Sequence, residues 1–448
     1  MLDTWFSSWL WPMEVFKGIS NPGNPDIKYY YPGNVLVTGQ DIIFFWVARM
    51  VMAGLQYEDQ KPFNDVYFTG MVRDKQGRKM SKSLGNSPDL LELIDKYGAD
   101  AVRFGIMISS PAGNDLLFDE GSLEQGRFFN NKMWNALKLI KLWEAKVANP
   151  PFVDTNGVDD SLLNMLVSKI THASVYHSAG DTFAIDWFTN RLSQAKKEVD
   201  EMIKQFRLSE ALKTLYSLIW DDFCSWYLEW VKPTADAGEE PVISAETYNT
   251  TVYFFTELMQ MLHPFMPFVT EEIYHQLADR DDDLCVRQDR ENVEADKQAL
   301  QHAELLKNII TGIRDIRNKS QLKPKDTIIL HIQTPTPDSF ESIEKIIGKQ
   351  VNASAIHFTQ SAIPDTITFV TGNHTFYIDA GVQHKSQINK EDLLKELNHL
   401  KGFLISVDKK LSNEKFVQNA KPEVIALEQK KKADATAKIE TLEKGLRG

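Results

Sequence analysis

The sequence predicts a multidomain protein with a partial α/β segment, an all-α helix bundle, a small α/β unit and a C-terminal antiparallel coiled-coil hairpin. Its apolar residues change from short strand-like runs to long helical spacing near residue 120. Alternating strand patterns return after residue 325, and leucines at heptad spacing follow. The 448 residues suffice for roughly three or four domains. We place them at residues 1–119, 120–290, 295–388 and 389–448.

The first segment alternates strands with helices. Residues 34–38 and 66–70 are short apolar runs that each lead into a glycine, which is typical of strands that end in a turn. Apolar spacing predicts a helix from about residue 40 to 54 and two shorter helices at residues 88–97 and 98–108. This order of elements favours an α/β fold.

Longer helices begin near residue 123. The first carries an apolar stripe, formed by Phe128, Met133, Trp134, Leu137 and Ile140. Further helices are predicted at residues 185–206, 209–231, 246–261 and 297–317. The small α/β unit then combines a helix near residues 339–348 with strands at residues 327–333, 355–359, 366–371 and 375–379.

The tail has a heptad seam. Apolar residues recur at spacings of four and three, at Leu393, Leu397, Leu400, Leu404, Val407 and Leu411. After a break at residues 419–422 the same rhythm continues through Ala435, Ile439, Leu442 and Leu446. Two such helices joined by a short loop predict an antiparallel hairpin. From residue 388 onward, 13 Lys and Arg face 10 Asp and Glu, a net charge of +3, whereas the rest of the chain has a net charge of −15.

Composition limits the class of protein. With 43% hydrophobic and 25% charged residues, the chain is typical of a soluble globular protein. Its two cysteines, Cys224 and Cys285, form no CxxC pair, which excludes a disulfide framework and a four-cysteine zinc site and favours a reducing, cytoplasmic location. No signal peptide opens the chain, and the longest apolar stretches, residues 35–55 and 251–269, contain charges, so no membrane partner is expected.

The most informative string is GRKMSKSLGN at residues 77–86. A glycine-led turn there presents Lys79, Lys82 and two serines close together, which suits phosphate oxygens. In nucleotidyl transfer, negative charge develops on the leaving pyrophosphate. Mobile lysines that meet this charge would stabilise the transition state more than bound ATP. A solvated basic turn is the alternative for an arbitrary KxxK, but the full KMSKS pentapeptide favours the phosphate site.

This string, followed by ADAVRF at residues 99–104, resembles the second signature of class I aminoacyl-tRNA synthetases. The strings LDTWFSS at residues 2–8 and TGQDIIFFWVARM at residues 38–50 resemble the valine–tRNA ligases most closely. The resemblance implies that residues 1–119 are part of a Rossmann-like catalytic domain. It also implies that ATP, with Mg²⁺, enters as a substrate, and no structural metal is expected.

The resemblance further assigns roles within the signature. Lys82 is expected to stabilise the adenylation transition state, and Lys79 to assist it. Met80, Ser81 and Ser83 are expected to belong to the ATP site.

A second group of residues suits an amino acid. Asp41 follows a strand and a glycine at the start of a helix, where a carboxylate can bind an α-ammonium group. Ile42 and Trp46 lie four apart on one helix face and, with Trp5, can enclose a small branched side chain. Ordinary core packing is the alternative for these three. By resemblance, Gly39 lets the backbone approach the adenosine ribose.

Two parts of the family are not found in this sequence. No histidine lies in an HxGH context, so the first class I signature is absent. A hydrophobic pocket cannot strongly reject threonine, and the valine enzymes, which carry a separate editing domain, are the standard example of this difficulty. No segment corresponds to that domain. We therefore expect that this sequence starts within a longer enzyme, and that this chain alone catalyses little or no adenylation.

The helical strings at residues 126–136, 220–229 and 262–272 resemble the family's anticodon-binding domain, and the tail resembles the tRNA-binding arm of bacterial-type valine enzymes. The implied partners are the valine tRNA, valine and ATP, with the complete enzyme a monomer. The isoleucine– and leucine–tRNA ligases are alternatives, although the frequent C-terminal zinc site of the isoleucine enzyme cannot be built from two scattered cysteines. A non-catalytic tRNA-binding module is another alternative, and for the tail an oligomerisation coiled coil is a third.

Overall fold

The computed structural model describes residues 3–110, 113–148, 178–233, 240–288, 293–380 and 390–412, together with single positions between 425 and 439. These residues form two compact units. The first contains the described residues up to 148 with residues 192–228, 233, 240–288 and 293–294, and the second contains residues 178–191, 229–232 and the described residues from 295 onward. The predicted multidomain chain, mostly helical with small sheets, is confirmed.

The α/β segment of the first unit is built on two parallel strands. Its elements are α1 (Thr4–Glu14), α2 (Pro25–Tyr30), β1 (Gly33–Gly39), α3 (Ala48–Tyr57), β2 (Phe63–Thr69), β3 (Val72–Arg73), α4 (Leu90–Tyr97), α5 (Ala99–Ile108) and β4 (Leu116–Leu117). β1 pairs with β2 from Gly33 opposite Phe63 to Gly39 opposite Thr69. Leu36, Met50 and Phe63 form the core between the strands and α3.

The helix predicted at residues 40–54 is present but is not uniform. It begins as a 3₁₀ turn (Gln40–Ile42), continues as a π-helix (Ile43–Val47) and becomes α-helical only at Ala48. Short π-helical segments of this kind are rare and are frequently found at functional sites. Apolar spacing cannot distinguish these helix types, because all three place side chains three to five residues apart on one face.

The helical part of the first unit packs around aromatic rings. Its helices are α6 (Glu120–Glu144), the second half of α7 (Ala179–Lys204), α8 (Leu208–Ser217), a π-helix (Leu218–Tyr227), the first residue of α9 (Leu228–Trp230), α10 (Ala245–Leu262) and α11 (Pro267–Leu277). Two short strands, β5 (Val147–Ala148) and β6 (Ile243–Ser244), pair in parallel. Phe129 lies 5.4 Å from Phe104 and 4.9 Å from Tyr216 between ring centroids, so one aromatic cluster joins α5, α6 and α8.

The stripe predicted on α6 is wrong at one position. Phe128 is 50% exposed, whereas Phe129 is fully buried. Phe129, Met133, Leu137 and Ile140 follow spacings of four, four and three, which keep one face toward the core. Phe128 is rotated by about 100° from that face, so its ring lies in solvent.

The second unit contains the small α/β part. Its elements are α12 (Lys297–Lys319), β7 (Ile328–Gln333), a 3₁₀ turn (Pro337–Phe340), α13 (Glu344–Val351), β8 (Ala353–Phe358), β9 (Ile367–Thr371) and β10 (His374–Asp379). The sheet order is β8-β7-β10-β9, with β7 and β8 parallel and the other pairs antiparallel. The helix predicted at residues 339–348 starts later, because a proline-led 3₁₀ turn takes its first part.

The tail begins with α14 (Lys390–Leu411). Its residues Leu397 and Val407 are buried, as are Ala435 and Ile439 beyond it. Lys432 pairs with Asp408, and Lys410 with Glu428. The side chain of Leu393, the predicted break at residues 419–422, and the seam residues Leu442 and Leu446 lie outside the described residues. None of the helices that the structure describes is long and apolar enough to cross a membrane.

Candidate active site

The signature string forms the second limb of a small hairpin that starts in β3. Arg73 forms an antiparallel bridge with Lys79, and the Met80 amide donates to the Val72 carbonyl at 3.2 Å. Gly77 closes the hairpin with a φ of +79°. Glycine adopts this left-handed conformation without the penalty that a Cβ would bring. The predicted glycine-led turn is therefore present.

Past the hairpin tip, the two serines approach each other. The hydroxyl oxygens of Ser81 and Ser83 are 3.1 Å apart, and the Leu84 amide donates to Ser81 Oγ at 3.3 Å. A short 3₁₀ turn, Lys82–Leu84, follows and ends at Gly85, where φ is +64°. The side chain of Lys82 lies outside the described part of the chain.

The loop distributes its positive charge unevenly. Three of its cations pair with a carboxylate: Arg73 with Asp115, Lys75 with Asp119 at 2.9 Å, and Arg78 with Asp74 at 2.8 Å. Among the residues that the structure describes, Lys79 has no carboxylate partner, and its side chain is exposed. The one described lysine of the KMSKS string is therefore available to an external anion.

The second predicted group begins where β1 ends. Gly39 is the last residue of β1, and a Cβ placed on it would lie 2.6 Å from Asp41 Oδ1. Only a glycine at this position allows that carboxylate to fold back against the backbone. Asp41 is exposed in the 3₁₀ turn that ends at the half-buried Ile42.

Both predicted tryptophans lie where α1 meets the helix after β1. Trp46 Nε1 donates to the carbonyl of Ser8 at 3.2 Å. Trp5, which is 42% exposed, lies beneath the Arg49 guanidinium, 3.5 Å from the ring centroid. Such a stack is a cation–π contact. Sequence reasoning did not single out Arg49, which holds the Trp5 ring in place.

The sheet brings the two groups to one edge. β1 and β2 are parallel and end together at Gly39 and Thr69, so Asp41 and the signature hairpin both follow the carboxyl ends of the strands. Thr69 Oγ1 donates to the Thr38 carbonyl at 3.5 Å across this edge. In open α/β sheets, ligands bind outside the carboxyl ends of the strands. Asp41 and the signature hairpin therefore follow the strand ends at which such sheets bind ligands.

The string ADAVRF attaches this segment to the helical part of the same unit. Asp100 accepts hydrogen bonds from the backbone amides of Phe268 and Val269 at the start of α11. Arg103 donates to the carbonyls of Pro264 and Phe265 at 3.0 Å each. Burial raises the pKa of Asp100 above its usual value, although these amide bonds oppose the shift. The structure thus gives these two residues an anchoring contact that the string alone did not indicate.

One cluster of possible metal ligands lies in the helical part. Glu271, His275 and Asp283 place ligand atoms within 4.8 Å of one another. His275 Nε2 is 3.0 Å from Asp283 Oδ1, and Glu271 Oε1 also accepts the Leu284 amide at 2.8 Å. These contacts are those of a surface ion-pair cluster, and the cluster gives no reason to assign a metal.

Three parts of the chain match family models of known proteins. Residues 1–119 match the family model described as tRNA synthetases class I (I, L, M and V). Residues 186–333 match the anticodon-binding domain of tRNA ligase, and residues 387–448 match the valyl tRNA synthetase tRNA binding arm. A solved ternary complex of an Agrobacterium radiobacter K84 LeuRS with tRNA and LeuAMS aligns with a TM-score of 0.46 at 16% identity, covering 74% of this chain and 34% of that one.

Curated relatives match along nearly the whole chain. The valine–tRNA ligase of Phocaeicola vulgatus is 45% identical, covering 99% of this chain and 47% of the relative. Those of Bacteroides fragilis and Bacillus licheniformis are 46% and 36% identical, each covering 99% of this chain and 48% of the relative. The chain therefore belongs to the valine–tRNA ligase family, and it spans about half the length of the curated relatives that it matches.

Proposed function

We propose that this chain supplies the KMSKS loop, part of the valine pocket and the tRNA-binding elements of a valine–tRNA ligase. In the proposed reaction a valine carboxylate oxygen attacks the α-phosphorus of ATP, bound with Mg²⁺ as the substrate, and the bond to pyrophosphate breaks. The terminal hydroxyl of the valine tRNA then attacks the valyl carbonyl carbon, giving valyl-tRNA and AMP. The complete enzyme acts as a monomer in the cytoplasm.

The observation that carries this proposal is the exposed Lys79 on the signature hairpin. Its neighbours Lys75 and Arg78 are each held by an aspartate, so among the described side chains near it the positive charge left for a ligand is that of Lys79. Pyrophosphate leaving in the transition state carries more charge than it does in bound ATP, so this charge favours the transition state. Lys82 is proposed as the main residue and Lys79 as its assistant, with Met80, Ser81 and Ser83 lining the ATP site.

The amino-acid site is proposed at the adjacent sheet edge. Asp41 is suited to the α-ammonium group, because its carboxylate is exposed at the end of β1 and forms no ion pair with the described residues. Trp5, Ile42 and Trp46 would enclose the isopropyl group, and Gly39 would allow the ribose to approach. These assignments make residues 1–119 the second half of a Rossmann-like catalytic domain.

The remaining domains are proposed to bind tRNA. Residues 120–290 would recognise the anticodon, and residues 389–448 would form an antiparallel coiled-coil arm. Residues 295–388 would form a small domain that links these two. The buried Val407 and Ile439 and the ion pair between Asp408 and Lys432 support the hairpin over separate helices. A basic arm adds affinity for phosphates that weakens as the salt concentration rises.

The test uses a full-length protein. This chain replaces the matching half of the Bacteroides fragilis relative, with which it is 46% identical, and valine-dependent exchange of pyrophosphate into ATP is measured. Lys79→Ala should lower the exchange rate by about tenfold or more, because a charge that acts in the transition state is lost. Affinity for the valine tRNA should stay unchanged.

The matched control is Lys75→Ala, which removes a lysine from the same hairpin but one already paired with Asp119. Its exchange rate should remain within about twofold of the parent, as for a surface ion pair of little net energy. Equal losses in the two variants would contradict a specific role for Lys79. Exchange with isoleucine but not valine would favour the isoleucine alternative, and no exchange with any amino acid would leave only a tRNA-binding module.

A further inference from the structure

We propose that Asp74 and Asn86 form a latch that fixes the KMSKS loop, so that its lysines meet the polyphosphate as one preorganised unit. The inference rests on the proposed function of the loop. Neither residue is assigned a contact with ATP, so both are positioning residues. Asp74 precedes the hairpin turn and Asn86 follows the signature, and the latch therefore joins the two ends of the loop.

Asp74 is a nearly buried carboxylate, 7% exposed, that accepts four hydrogen bonds. Its Oδ1 accepts the backbone amides of Gln76 at 3.0 Å and Arg78 at 2.9 Å. Its Oδ2 accepts Arg78 Nε at 2.8 Å and Asn86 Nδ2 at 3.0 Å. The bond from Asn86 and the bonds from Arg78 lower the pKa of Asp74 to about 2, so the group stays ionised at neutral pH.

Asn86 uses both ends of its amide on the loop. Besides its bond to Asp74, Nδ2 donates to the Lys79 carbonyl at 3.3 Å, and Oδ1 accepts the Ser81 amide at 2.9 Å. The backbone on each side of Met80 is therefore bound to one side chain. Lys79 is held at its main chain while its side chain remains exposed.

The loop needs such bonds because its glycines do not restrain it. Gly77 and Gly85 flank the signature with a positive φ, and a Cβ placed on either would have no described atom within 4 Å. Glycine has the largest conformational freedom to lose on ordering. Hydrogen bonds from Asp74 and Asn86 offset that loss before the ligand arrives, which is what preorganised transition-state binding requires.

The latch also controls which cation faces the ligand. The Arg78 guanidinium is bound to Asp74 by an ion pair at 2.8 Å, next to the exposed Lys79 in sequence. Arginine binds phosphate through a bidentate fork and would compete with lysine for the same oxygens. While Asp74 holds Arg78, Lys79 is the described cation of the hairpin that is left for the polyphosphate. Loss of the carboxylate would therefore loosen the loop and release a competing cation.

The experiment compares Asp74→Asn, Asn86→Ala and their double variant in the 448-residue chain. Hydrogen exchange of the amides of residues 76–86 should accelerate by about tenfold or more in each single variant, because a buried bonding partner is lost. The double variant should exchange no faster than the faster single one, since both changes open the same latch. Asp95→Asn is the control, because it makes the same chemical change at an exposed site on α4.

A second readout uses the full-length chimera in which this chain replaces the matching half of the Bacteroides fragilis relative. Asp74→Asn should lower kcat for pyrophosphate exchange by about tenfold or more with KM for valine unchanged, since only a transition-state contact is displaced. Unchanged loop exchange in Asp74→Asn, or additive effects in the double variant, would overturn the latch. An inactive parent chimera would count against the proposed function instead, while the hydrogen-exchange result would still decide the latch.

Discussion

A buried ion triad should hold the helices of the first unit together. Glu257 on α10 is 1% exposed, and its carboxylate lies 2.5 Å from Lys196 Nζ on α7 and 2.5 Å from Arg287 Nη2. Burial alone would raise the pKa of Glu257, but the two cations outweigh it and the pKa is lowered. Glu257→Gln keeps the side-chain volume and removes the charge. Two cations that are only 12% and 14% exposed then face a neutral amide.

The magnitude follows from this burial. Removing one partner of a buried pair costs about 3–5 kcal/mol, and the partial exposure of the cations places Glu257→Gln near the lower value, about 3 kcal/mol. With a urea slope of about 3 kcal/mol per molar for a unit of this size, the unfolding midpoint should fall by about 1 M. Far-ultraviolet circular dichroism measures the transition.

The control and the pH dependence make the test specific. Glu272→Gln on the exposed side of α11 should change stability by less than about 0.5 kcal/mol. Because the folded pKa of Glu257 lies below its unfolded value near 4.5, the carboxylate stabilises the fold above that value. This contribution is lost as the pH falls through the folded pKa, so the gap between parent and variant should close in acid. A midpoint shift no larger than that of the control refutes the reasoning.

Two further predictions concern the anchor and the arm. Burial raises the folded pKa of Asp100, so its ionisation lowers stability as the pH rises from the usual value of 3.8 through the folded pKa. Urea midpoints from about pH 4 to about pH 7 should therefore show the stability of the parent falling relative to that of Asp100→Asn. A constant difference between the two proteins would contradict this prediction. Deleting residues 389–448 should weaken binding of the valine tRNA and flatten its dependence on salt; unaltered binding, with a change in oligomeric state, would favour the oligomerisation coiled coil.

Apolar spacing predicted the helices and strands well because elements such as α6 and β7 bury one face. The strands at residues 366–371 and 375–379 became β9 and β10 to within a residue or so. The error at Phe128 also comes from relying on apolar spacing, since two adjacent phenylalanines satisfy a hydrophobicity pattern equally well. The spacing of four to Met133 places Phe129 on the buried face of α6. Its packing against Phe104 shows that Phe129, and not Phe128, is the core residue.

Some residues of the candidate site were predicted from the sequence, and others were recognised only in the structure. Lys79, Asp41 and Trp46 were predicted because a string or a resemblance marked them, whereas the pairing of β1 with β2, which brings their segments to one sheet edge, came only from the structure. Asp74 escaped sequence reasoning altogether. A single aspartate twelve residues before an asparagine gives no periodic pattern, because a side-chain hydrogen bond across a loop depends on backbone geometry that the two glycines leave open.

The distribution of charge explains how an acidic chain can present a polyphosphate site. The chain carries a net charge of −12, and its aspartates near the loop are not spread at random. Asp74, Asp115 and Asp119 each neutralise one cation of the hairpin. The pairs of Asp115 and Asp119 are partly exposed and contribute little to stability, whereas Asp74 is nearly buried. All three pairs remove neighbouring positive charge that would bind phosphate in other geometries. Among the described cations of the hairpin, these aspartates therefore leave Lys79 as the one without a carboxylate partner.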